Sequence, residues 1–258
     1  MREIVHKSAD NLHYDQQAEH YDAFNEESTI VINEYLAELF SAHKARKILD
    51  LTCGTGSQVF WLHQRGFDIT GVDINRKMLA IAQEKATTAG LTMPFIEGDM
   101  CTQRVGEFDA VITIFNAIGH LTKPDFIKAI QNIHANLKSQ GLYVFDIFNL
   151  SYLLSGDNIT KLTIDWQKQY DDTTVREIQY STISTQGVLA SYDIFHVQQD
   201  HEKPKISQEF QTLQVYSRAQ LKAMLEANGF EVIQQCNVDG TRLHETQTER
   251  IMTVARKQ

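Results

Sequence analysis

The sequence is poor in several features that would assign it to a membrane, a secretory or a nucleic-acid-binding class. Of 258 residues only 3 are cysteine, and Cys53, Cys101 and Cys236 form neither a CxxC pair nor a disulfide framework. Free thiols suit a reducing compartment, so a cytoplasmic location is expected. No apolar run approaches the roughly 18 residues needed to span a bilayer, and residues 1–8 lack the apolar core of a signal peptide. No membrane partner is therefore expected. Basic residues are in deficit, with 24 against 33 acidic and a net charge of −9. Such a surface repels phosphate backbones, so a nucleic-acid partner is not expected either. His63, His134, His196, His201 and His244 show no ligand spacing, and HExxH is absent. Metal catalysis thus has no support. There is no internal repeat, low-complexity tract or flexible linker.

What remains is a regular alternation. Between residues 46 and 148, strand patterns (Lys47–Thr52, Asp68–Asp73, Pro94–Gly98, Phe108–Phe115, Leu142–Phe148) are separated by helical ones. Ser57–Arg65 is one helix, Asn75 can cap the next, and Pro124 suits the first turn of a third, which Gly141 follows. Five strands joined by helices imply a parallel sheet covered on both faces. The rhythm then changes. Residues 160–216 are rich in β-branched and aromatic residues, with turns expected near Asp171-Asp172, Gln186-Gly187 and Glu202–Pro204, so three or four antiparallel strands are expected. Ser217 and Gln220 can form a capping box. Phe230–Val238 and Arg250–Arg256 are two last strands, and Ile30–Phe40 marks a helix in a mainly helical start.

The strand ends carry the chemistry. Gly54-Thr-Gly56 lies between a strand and a helix, where glycine reaches backbone angles closed to other residues and leaves room for a ligand. Asp73 ends the next strand, roughly 20 residues on, where an acid can accept both hydroxyls of a ribose. Asp99 follows the third strand and can accept an adenine amine, with Met100 packed on the ring. Asn116 and His120 follow the fourth strand, at the carboxyl edge where open α/β sheets bind ligands. Tyr14 and Tyr21 are seven apart, on one face of a helix, and at least one is expected to face the ligand. Each has a structural alternative: strand-end acids cap helices, and lone histidines often serve packing. A nicotinamide fingerprint would need glycine where Val59 stands.

Taken together, these residues resemble the class I S-adenosylmethionine-dependent methyltransferases. Leu49-Asp-Leu-Thr-Cys-Gly-Thr-Gly56, Gly71-Val-Asp-Ile-Asn75, Glu97-Gly-Asp-Met100, Phe108–Phe115 and Gly141-Leu-Tyr-Val-Phe-Asp146 match the family's motifs in order. Thr52 replaces the usual first glycine. The resemblance implies a Rossmann-like α/β fold: a seven-stranded sheet with helices on both faces, an antiparallel last strand and an antiparallel β insert. It divides the chain into a helical cap, 1–45, and a methyltransferase domain, 46–258, with 155–216 as an insert that serves as a lid. The cofactor implied is S-adenosylmethionine. Thr52, Gly54 and Gly56 would surround its methionine moiety, and Asp73 its ribose. Ile74, Asp99 and Met100 would bind adenine, and Phe115, Asn116 and His120 would lie near the methyl group. The Tyr-Asp repeat at the start and the insert resemble N-methyltransferases of glycine, sarcosine or amino sugars, which implies a small-molecule amine as acceptor. An oxygen or carboxyl acceptor would need a base, for which His120 and Tyr21 are the candidates. A nicotinamide oxidoreductase and a non-catalytic cofactor-binding module are the competing classes. Exposed edges in the insert leave room for a homodimer.

Overall fold

The computed structural model describes residues 4–9 and 21–258. Helix α1 (Tyr21–Ala42) leads into an alternating series: β1 (Lys47–Asp50), α2 (Ser57–Gln64), β2 (Asp68–Asp73), α3 (Arg76–Thr88), β3 (Phe95–Glu97), β4 (Phe108–Thr113), a 3₁₀ turn (Ala117–His120), α4 (Lys123–Asn136) and β5 (Leu137–Phe148). After the short α5 (Leu150–Leu153) and a second 3₁₀ turn (Asn158–Leu162) come β6 (Ile164–Tyr170), β7 (Thr173–Ile183), β8 (Val188–Gln199) and β9 (Lys205–Gln214). The chain closes with α6 (Arg218–Glu226), β10 (Phe230–Cys236) and β11 (Arg250–Lys257).

Seven strands form one sheet in the order β10-β11-β5-β4-β1-β2-β3. β1 to β5 run parallel, and β11 lies antiparallel between β5 and β10. Side chains alternate across a strand, so neighbours in β1 and β4 enter different layers. Ile48 and Ile112 pack beneath α1 and α2, with Leu36, Phe40 and Val59; Leu49 and Val111 pack toward α4, with Phe126 and Ile130. The helices begin where their caps permit. Asn75 accepts the Met78 N–H and Thr122 the Asp125 N–H, and Ser217 with Gln220 makes the expected capping box.

The remaining four strands pair antiparallel as β6-β7-β8-β9, with turns where the sequence places them. This sheet is not detachable. Leu189 and Val215 are wholly buried in the layer containing Phe126 and Tyr143, and Ile183 and Leu213 pack against it.

Several strand ends differ by a residue or two from the sequence expectation, and at β5 and β4 the difference is informative. β5 begins at Leu137, not Leu142, and the end of α4 is tied down by Lys257 Nζ, which donates to the carbonyls of His134 and Leu137 at 2.8 and 2.7 Å. Gly141 has a packing role, since a Cβ there would stand 2.9 Å from the Lys138 carbonyl oxygen. β4 stops at Thr113, two residues short of Phe115. Phe115 and Asn116 both turn into the left-handed region, with φ of 63° and 59°.

Candidate functional site

The carboxyl ends of β1, β2 and β4, with the segment after β3, converge on a cavity of about 330 Å³. That volume is within the range of small-ligand pockets. The loop after β1 forms its base. Gly54 lines the cavity at φ 52°, a conformation that favours glycine. Its N–H donates to Asp73 Oδ2 at 2.8 Å, while Asn75 N–H donates to Asp73 Oδ1 at 2.8 Å. Burial pushes the Asp73 carboxyl upward, against the opposing pull of these amides and that of Ile74.

Asp50 ends β1 with almost no exposure. Thr52 N–H donates to its Oδ1 at 3.0 Å, but its Oδ2 is buried without a partner. Burial raises this carboxyl to about 8, with the nearby Asp73 adding to the rise and the Thr52 amide opposing it. Thr52 Oγ1 is likewise buried and unpartnered, on a residue of the cavity wall. Buried polar atoms are costly unless bonded. Thr52 Oγ1, on the cavity wall, therefore suits a ligand that brings a hydrogen-bonding partner, whereas Asp50 lies outside the cavity lining.

The sequence-expected residues divide into three groups. Thr52, Gly54, Asp73, Ile74, Asp99, Met100, Phe115 and His120 all line the cavity. Asp99 also accepts the Cys101 N–H through Oδ1, at 2.7 Å. Gly56 and Asn116 do not line it. A Cβ on Gly56 would lie 2.7 Å from the Phe60 ring, so close packing requires glycine there, and Asn116 Oδ1 accepts the Phe148 N–H at 2.8 Å. Tyr14 falls outside the described residues, and Tyr21 begins α1 with its side chain outside them.

The cavity also has walls that the motifs did not indicate. Ser8 and Ala9 cross it. Ser8 Oγ donates to Asp125 Oδ2 at 2.7 Å and accepts the Thr122 N–H at 2.9 Å, while Ala9 N–H donates to the His120 carbonyl at 2.9 Å. His6 Nδ1 lies 2.9 Å from Thr212 Oγ1, tying this strap to β9. Lys128, Ser8 and Thr122 hold the Asp125 carboxyl well below the usual range. No sequence pattern marks the strap. Asp50 had a signal: an acid inside Ile-Leu-Asp-Leu must find a partner when buried.

Among the described residues no group of His, Cys, Asp or Glu could hold a metal, and no helix is long and apolar enough to cross a membrane.

The comparisons agree with this geometry. A family model described as a methyltransferase domain matches residues 48–141. The putative methyltransferase GWCH70_2453 of Geobacillus sp. (strain WCH70) is 30% identical over 220 residues, covering 83% of this chain and 85% of that protein. The glycine/sarcosine N-methyltransferase of Parasynechococcus marenigrum is 33% identical over 132 residues, covering 50% of this chain and 47% of its own length. The match thus spans about half of that relative. Among solved structures, an S-adenosylmethionine-dependent methyltransferase from Clostridium acetobutylicum superposes with a TM-score of 0.78 at 20% identity, covering 95% of this chain and 98% of that one. The amino pentose methyltransferase CalS10 from Micromonospora echinaspora, solved with S-adenosylmethionine bound, gives 0.69 at 18% identity over the whole of both chains. These likenesses leave no ground for the oxidoreductase alternative, and the chain belongs to the class I S-adenosylmethionine-dependent methyltransferases.

Proposed function

We propose that the protein methylates a nitrogen of a small-molecule acceptor. The observation that carries this reading is the apolar wall beside Thr52, formed by Ile114, Phe115 and Ala117. An amine attacks only when neutral, and an apolar surrounding favours the neutral form by withholding solvation from the ammonium. Such an acceptor needs no dedicated base. His120 also lines the cavity and would serve an oxygen acceptor. The named activities of the glycine/sarcosine and amino pentose relatives support nitrogen over oxygen.

S-adenosylmethionine supplies an electrophilic methyl group, so the residues of this chain chiefly bind and orient. Asp73 has carboxylate lone pairs left for ribose hydroxyls beyond the Gly54 and Asn75 amides. Asp99 would accept the adenine amine, with Ile74 and Met100 against the ring. Thr52 Oγ1 and Asp50 Oδ2 would accept from the methionine ammonium. Phe115 would border the methyl group. Residues 155–216 and the N-terminal cap, residues 1–45, act as lids. Ser8 and Ala9 on the cavity wall, and the His6–Thr212 contact to β9, support that role. The setting is cytoplasmic, and the edge strands of the second sheet, β6 and β9, offer pairing surfaces for a homodimer.

The test is product analysis. The protein is incubated with methyl-labelled S-adenosylmethionine and, separately, glycine, sarcosine, an amino sugar, a phenol and a simple carboxylic acid. N-methyl products alone support the reading. Ether or ester products alone refute it.

A further inference from the structure

Phe115 and Asn116 are consecutive left-handed residues, and neither is glycine. A Cβ crowds the neighbouring carbonyl oxygen in that region. Such a pair persists only where its surroundings over-determine it. Here the surroundings centre on one carboxylate. Asp146 Oδ1 accepts the Phe115 N–H at 2.7 Å, and Oδ2 accepts the Asn116 N–H at 3.4 Å. Arg250 Nε donates to Asp146 Oδ2 at 2.9 Å, and its Nη2 bonds the same oxygen. The guanidinium also lies 5.3 Å from the centre of the Phe115 ring, within reach of a cation–π contact.

The Asp146 side chain is completely buried and that of Arg250 is 13% exposed. Each occupies a strand interior to the main sheet, β5 and β11. A carboxylate at that depth is tolerable only with a cation and several donors around it. Neither residue lines the cavity, whereas Phe115 does.

We propose that Asp146 and Arg250 are positioning residues for methyl transfer. The carboxylate fixes the two amides of the left-handed turn, and the guanidinium supports the Phe115 ring from behind. Together they set the surface that Phe115 presents beside Thr52, at the methionine end of the cavity. This rests on the reading of the cavity as the S-adenosylmethionine site. In the sheet order, β4 lies on the far side of β1 from β2 and β3. The brace therefore acts on the methionine half of the ligand and leaves the adenosine half alone.

Two probes separate those halves: adenosine and S-adenosylhomocysteine. Arg250→Met, Arg250→Lys and Asp146→Asn are titrated with both by calorimetry. Backbone amide exchange is followed by NMR at Phe115, Asn116 and, as a control in β4, Ile112. For Arg250→Met, adenosine affinity is expected to stay within about twofold, as for an uncoupled distant site. S-adenosylhomocysteine affinity should fall about tenfold, and exchange at Phe115 and Asn116 should rise about tenfold while Ile112 holds. Arg250→Lys keeps the charge but not the planar fork, so it should recover part of both losses. The proposal is overturned if both ligands weaken equally, if exchange rises along the whole of β4, or if nothing changes. Should Arg250→Met not fold, Arg250→Lys decides by the same ratio. Wild-type protein that bound neither probe would remove the reading of the cavity, while the exchange data would still judge the brace.

Discussion

Gly54 donates its backbone N–H to the Asp73 carboxylate across 2.8 Å, so the glycine loop and the acid of the next strand form one unit. The same acid that is proposed to hold the ribose also fixes the bend proposed to carry the methionine. Removing it disturbs both halves of the site.

Asp73→Ala should accordingly weaken adenosine binding by at least about tenfold, the cost of one charge-assisted hydrogen bond. S-adenosylhomocysteine should lose more, because the Gly54 amide is left without its acceptor. Calorimetric titration of both ligands checks this, and equal losses would show that the loop does not depend on Asp73.

Thr52→Val removes a buried hydroxyl that has no partner in the protein. The ligand-free protein should be unchanged or up to about 1 kcal/mol more stable, since nothing is broken and a desolvated polar group is gone. S-adenosylmethionine affinity should fall about tenfold. Opposite signs for stability and binding, measured by denaturant unfolding and titration, are the expected signature.

Asp50 predicts a pH dependence of definite sign. Its folded carboxyl is raised to about 8, so the folded state keeps a proton that the unfolded chain releases near 4. That contribution is fully present below the unfolded value and is lost as pH rises toward 8. Unfolding curves of the ligand-free protein between pH 5 and 8 should show wild type losing stability relative to Asp50→Asn. If Asp50 accepts the methionine ammonium, ligand binding at pH 7 should release a proton. Calorimetry in buffers of different ionisation enthalpy would detect that release, and Asp50→Asn should abolish it.

Ser8→Ala removes both bonds that pin the strap to the start of α4. The loss is about 1–3 kcal/mol of local closure. Because the strap borders the cavity without belonging to the sheet, the effect should appear as faster release of S-adenosylhomocysteine in stopped-flow, with the thermal midpoint moved by only a few degrees. An unchanged release rate would show that the strap does not gate the cavity.

The sequence revealed the fold because its signals are local. Strand runs ending in Gly54, Asp73 and Asp99 specify a sheet edge, and Asn75, Pro124 and Ser217 mark helix starts within a single turn. What it did not reveal depends on distant partners. Asp146 sits inside Leu142–Phe148, where an acid among apolar residues signals a need for compensation, but the compensating Arg250 is 104 residues away. Phe115 read as the end of a strand because its apolar pattern continues to that point; the two amides that turn toward Asp146 break the pattern without any change in composition. Residues 4–9 bear neither periodicity nor motif, and only the Ser8 and Ala9 contacts show that they cross the site.

β11 follows β1 to β10 in chain order yet lies between β5 and β10, so each of those strands presents a bare rim until residues 250–257 have docked. Until then Asp146 also waits without its counter-ion. A polypeptide in which residues 250–257 have not docked is therefore expected to keep the core unclosed and to expose strand rims prone to association.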